Sequence, residues 1–140
     1  MLAQNSSVPA PTALATWQQL YFGTFTGNGA LNSSPAGDGV PNLLKFALNL
    51  NPISPALIPW TLTETPGSLV YSYSRSSSAV NDGTGFIVEW TDLLNPVQWS
   101  TAGVTQTILT DDGTVQTVQA AVATPADAVK RFVRLRVTHP

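Results

Sequence analysis

The sequence contains no cysteine, which excludes disulfides, thiolate metal sites and thiol catalysis and leaves the redox compartment open. Histidine occurs once, as His139 beside the terminal residue Pro140. A nucleophile–base triad would have to draw its base from a chain end, and a metal site would have to be built from carboxylates. Charge is scarce as well: Lys and Arg total 6, Asp and Glu total 8, and the formal net charge is -2. Six basic residues give no field for wrapping nucleic acid, so none is expected as a partner. No apolar run approaches the ~20 residues that span a bilayer, so no membrane span is expected. Met1 to Gln4 lacks the basic and apolar regions of a secretory signal, and an exported form is expected to be a mature or excised piece.

Neutral polar residues take the place of the missing charge. The chain has 17 Thr and 12 Ser among 140 residues, a coat associated with secreted or assembled β-proteins. A chain of this length buries ~68% of its unfolded surface, enough for one core without covalent staples. Residues 1–11, MLAQNSSVPAP, mix Ser, Pro and small residues without periodicity and are expected to form an extended arm.

From Thr12 the pattern is helical. Leu14, Trp17, Leu20 and Tyr21 recur at spacings of three and four, and Gly23 sits where a helix would end, which predicts a helix from Ala13 to Phe22. After a Gly/Asn/Ser/Pro loop, Pro41 opens a second short helix whose stripe is Leu43, Leu44, Ala47 and Leu48, ended by Asn51-Pro52. Beyond Pro59 the period becomes two. Trp60 to Glu64, Leu69 to Ser74, Phe86 to Trp90, Val104 to Thr110, Thr114 to Val122 and Arg131 to Thr138 read as strands, with a short, ambiguous segment at Val97 to Trp99. Asp111-Asp112-Gly113 marks a hairpin turn. Six or seven strands over about eighty residues predict a mainly β fold, an antiparallel β-sandwich of immunoglobulin or fibronectin III type preceded by two short helices. The expected division is 1–11, arm; 12–52, two-helix segment; 53–140, sandwich.

TWQQLYFG at 16–23, GDGVPNLLKFALNLNP at 37–52, VEWTDLLNPVQW at 88–99 and RFVRLRV at 131–137 together resemble C-terminal modules of large secreted bacterial surface proteins, autotransporter-like and sorting-signal-bearing ones included. The resemblance implies an extracellular or cell-surface location, and a calcium-loop-like helical segment before the sandwich. In the twelve-residue register of such a loop, Ser34 and Ala36 fill the first and third positions, Asp38 the fifth and Gly39 the turn. Asn42 takes the ninth position and Lys45 the twelfth. Asp38 is the one carboxylate left, and Lys45 stands where a bidentate glutamate would be needed. No tight calcium site or other cofactor is therefore expected, with weak binding through Asp38 and Asn42 as the alternative.

Chemistry-bearing clusters are sparse. Glu64, Asp82, Glu89 and Asp92 could form a glycosidase pair only if the fold brought two together, and nothing in their spacing asks for it. Glu89 is expected to face outward and pair with Arg134, Arg136 or Arg75, and His139 reads as an incidental tail residue. Tyr71, Tyr73 and Trp90 share faces with Leu69, Phe86 and Val88 and are expected in the core, Trp99 as a plug for the 92–99 connection, and Trp60 as the exposed aromatic. The Asn5-Ser6-Ser7 and Asn32-Ser33-Ser34 sequons matter only in a eukaryotic secretory path. The expectation is thus no enzyme but a structural or interaction module, joining copies of itself or a larger surface protein through sheet edges and through Ser6 and Val8 of the arm. The alternative is a carbohydrate-binding module using exposed aromatics, Trp60 first.

Overall fold

The computed structural model describes residues 12–125 and 130–140. Helix α1 spans Ala13–Phe22 as the spacing predicts. Thr12 caps it by accepting from the Ala15 amide at 3.0 Å, and Gly23, at φ 66°, closes it with its amide on the Gln19 carbonyl. Its buried face differs from the apolar stripe: Leu14 and Gln18 are buried, whereas Leu20 is 75% exposed. Gln18 goes inward because its Nε2 donates to the Gly29 carbonyl at 2.7 Å, which satisfies the amide without water.

Helix α2, Asn42–Ala47, is shorter than its stripe suggests. Leu48 caps it, and Asn49 turns left-handed at φ 58° so that the Leu50 amide reaches the Lys45 carbonyl. A third helix, α3 at Ser77–Asn81, was not expected from the sequence. Ser76 caps it on the Ala79 amide; five residues are too few for an apolar period to register. Leu14, Phe46 and Ala79 join the three helices, with Trp17 edge-on to Phe46 at 5.8 Å between centroids.

The described residues form a mainly β fold of six antiparallel strands in two sheets. Strands β1 (Trp60–Thr65), β2 (Ser68–Ser76), β4 (Val104–Asp111) and β5 (Val115–Ala123) make one sheet in the order β1-β2-β5-β4. Strands β3 (Gly85–Thr91) and β6 (Phe132–Thr138) make the other. The segment at 97–99 is no strand: Leu94 with Val97 and Trp90 with Ser100 form isolated bridges only. The period-two pattern sets the registers, Tyr71 opposite Ala120 and Tyr73 opposite Val118 in the large sheet, Val88 opposite Leu135 in the small one. Their inward side chains close on each other and on Leu48 as one core. Tyr71 and Tyr73 are buried there, Phe86 and Trp90 packed at its margin.

The core does not reach every strand. All six residues of β1 are exposed, although their alternation suggests a half-buried strand. Only β2 pairs with β1, and only β3 with β6, so each keeps a free backbone edge among the described residues. On the opposite side, Gln106 of β4 ties the two sheets together, accepting from the Tyr73 hydroxyl at 2.6 Å and donating to the Phe86 carbonyl at 3.0 Å.

Candidate functional site

Asp38 and Lys45 lie where the loop register places them, but they meet each other. The Lys45 side chain is 1% exposed, and its ammonium sits 2.6 Å from Asp38 Oδ2. It also donates to the carbonyls of Ser54 at 2.7 Å and Asn51 at 3.1 Å. Asp38 accepts further bonds from the Val40 amide and Ser34 hydroxyl on Oδ1 and from the Ala56 amide on Oδ2. The Lys45 ammonium first, then the Val40 amide, holds the Asp38 carboxyl far below the usual carboxylate range. A calcium ion does not fit this set, because the oxygens it would need already surround a covalently attached cation. Sequence spacing places Lys45 at the twelfth position; its burial as a replacement cation has no local sequence signal.

Asn42 is fully buried and serves the backbone instead. Its Nδ2 donates to the Asn28 carbonyl at 2.7 Å and the Ala30 carbonyl at 2.8 Å, while Oδ1 has no partner among the described residues. Asp38 and Asn42 thus pin different parts of the loop and do not converge as ligands. The described residues contain no group of three or more His, Asp or Glu able to hold a metal ion.

The other carboxylates are held separately. Glu89 does face away from the core and pair with Arg134, at 2.7 Å, and with Arg136, at 3.1 Å, and the two guanidinium groups cover it, so that it is buried all the same. Each arginine spans its own exposed position on β6 and folds back over β3, covering the carboxylate. Asp92 takes a two-pronged contact from Arg131, whose guanidinium holds the carboxyl below its ordinary value. His139 is likewise no incidental tail. Its Nε2 lies 3.1 Å from Asp82 Oδ2, and the Ala13 and Leu14 amides donate to the same carboxylate. Burial pushes the Asp82 carboxyl up, but the Leu14 amide, His139 and the Ala13 amide outweigh it and leave the carboxyl below its ordinary value.

A hollow of about 700 Å³ lies between Trp90, Asp92, Pro96, Gln98 and Trp99. Its indole faces are taken: Arg131 stands 3.6 Å over Trp90 and Arg134 4.1 Å over Trp99, so neither offers that face to a ligand. Trp60 is different. It is half exposed and lies parallel to Tyr71, with centroids 5.8 Å apart.

Trp60 stands at one end of an apolar groove along the free edge of β6. Ile58, Trp60, Leu62 and Tyr71 line one stretch with Val133; Pro41 and Leu43 line the next with Val137 and Arg136; and Leu44, Leu135 and Arg134 belong to both. Burial pushes the Tyr71 hydroxyl up to about 12, so it stays a neutral donor beside this groove at any physiological pH. Ser6 and Val8, expected as interaction residues, lie outside the described residues. No family model, curated protein or solved structure matches this chain.

Proposed function

We propose that the chain is a non-catalytic interaction module of an extracellular or cell-surface bacterial protein, joining copies of itself or a larger surface protein by strand addition. The observation that carries this reading is the free edge of β1. Its six residues are exposed, among the described residues it pairs with β2 alone, and it presents Trp60 and Leu62 with Glu64 as its one charge. The edge of β4 adds exposed Ile108 and Leu109. Two sheets sharing one core support the immunoglobulin or fibronectin III type, and the four sequence stretches quoted above support the bacterial surface family. Sedimentation velocity and negative-stain microscopy of the untagged 140-residue chain across concentration test the reading. Concentration-dependent oligomers or filaments are expected, and a monomer throughout the range overturns it.

A second reading, a carbohydrate-binding module, rests on Trp60. Its ring is steadied by Tyr71, and Trp60 also borders a shallow hollow lined by Thr61, Ser72, Ser74 and Thr117, which supply neutral donors and acceptors. A glycan array decides it: binding that Trp60→Ala abolishes favours this reading, and no binding removes it.

A further inference from the structure

We propose that copies of this chain join head to tail, the free edge of β1 in one copy pairing in parallel with the free edge of β6 in the next. This inference rests on reading the chain as a self-associating module and adds which two edges meet, in which direction and in what register.

Charge selects the edges. Glu64 is the one charged residue of β1, exposed and without an ion pair among the described residues. On β6, Arg134 and Arg136 share the single carboxylate of Glu89 and are each nearly half exposed, which leaves one positive charge in surplus. Opposite charges on neighbouring strands stabilise the pairing, and like charges weaken it. Pairing β1 with β1 brings Glu64 no cation, and pairing β6 with β6 gathers arginines. The edge of β4 competes poorly for β6, because its one carboxylate, Asp111, is already held by the Gly113 amide, Gln116 and Ser77. Joining β1 to β6 matches a lone carboxylate to a surplus guanidinium. Within one chain the two strands stand apart across a hollow of about 250 Å³, so the match is made between copies.

Alternation fixes the register. Trp60, Leu62 and Glu64 share one side of β1, the side on which Trp60 and Leu62 stand opposite Tyr73 and Tyr71. Val133 and Leu135 of β6 go to the core, which turns Phe132, Arg134 and Arg136 to the other side. In parallel order, Trp60 beside Phe132 puts Leu62 beside Arg134 and Glu64 beside Arg136, and all six residues of β1 lie within the span of β6. Two exposed rings then meet, the Arg134 stem lies along Leu62, and carboxylate meets guanidinium. Antiparallel order loses the first of these contacts. With Glu64 beside Arg134, Trp60 falls at Thr138; with Glu64 beside Arg136, Trp60 passes the end of the strand. Repeated from copy to copy, the parallel contact continues the small sheet of one chain into the large sheet of the next. Because it joins unlike surfaces, it builds rings or filaments.

A charge exchange tests the pairing in the full chain. Glu64→Lys alone and Arg136→Glu alone should each raise the concentration of half-assembly in sedimentation velocity by about tenfold or more, since each sets like charges side by side. An equal mixture of the two variants should assemble like the parent, because every contact between unlike chains again joins a carboxylate to a cation. Assembly of both single variants at the parent's concentration overturns the pairing and leaves self-association standing, as does a mixture that stays monomeric while the parent assembles. A parent that is monomeric throughout overturns both. Should Arg136→Glu misfold, the absence of cysteine allows a second measurement at two exposed positions. Trp60→Cys chains mixed with Phe132→Cys chains should give a 60–132 disulfide on mild oxidation, because paired strands stand ~4.8 Å apart and disulfides need about 4.4–6.8 Å between Cα atoms. Links of 60–60 or 132–132 alone, or no link, overturn the proposal.

Discussion

At the scale of single residues, Lys45 decides most about the loop. A side chain of this type reaches the interior only when its ammonium is fully bonded, and Asp38, Asn51 and Ser54 provide three oxygens for it. The register that places Lys45 at the twelfth position leads to a reversal experiment. Ser34→Asp, Ala36→Asp and Lys45→Glu together should convert the loop to a calcium site, with a heat of binding in calorimetry and a melting temperature that rises with added calcium, neither seen in the parent. No heat from the triple variant would sink the register. Asp38 and Lys45 were legible as loop positions because spacing alone defines that register. That they pair with each other was not, since burial of a lysine depends on carbonyls at 51 and 54 that only the folded chain brings round. Glu89 shows the same limit: its partners could be named from strand alternation, but not that two arginine stems would roof it over.

At the scale of elements, the strands were legible wherever a period of two persisted, as at 69–74 and 131–138, and α1 because a terminating glycine closed the apolar spacing. Helix α3 and the 97–99 segment were not, because five residues are too few for a 3.6-residue apolar period and three too few for an alternation. Local hydrogen bonds on Ser76 decide the first, and isolated bridges hold the second. Sheet-to-sheet clasping was equally hidden. Gln106 looks like a surface residue of an edge strand, yet it bonds Tyr73 on one side and Phe86 on the other. Gln106→Leu should therefore destabilise the fold by about 1 kcal/mol, because the inward Tyr73 hydroxyl and the Phe86 carbonyl lose their partner. Urea midpoints measure this, and Tyr73→Phe should cost less in the Gln106→Leu background than alone. Equal costs in both backgrounds would show that the two residues act independently.

For the whole molecule, the carboxylates set the response to acid. Asp38, Asp82, Asp92, Asp111 and Asp112 all have folded-state values below the ordinary one, from their separate hydrogen bonds and ion pairs. A depressed carboxyl adds stability that is complete above the unfolded value of ~3.9 and fades as pH falls through the folded value. The urea midpoint should accordingly stay level from pH 7 to about pH 5 and fall steeply below about pH 4. A midpoint unchanged at pH 3 would contradict the assignment. The shared Asp82 carboxylate has one more consequence, which is mechanical. With Ala13 and His139 meeting at one pole, tension applied to the two ends reaches that carboxylate first and peels α1 and β6 away one contact at a time.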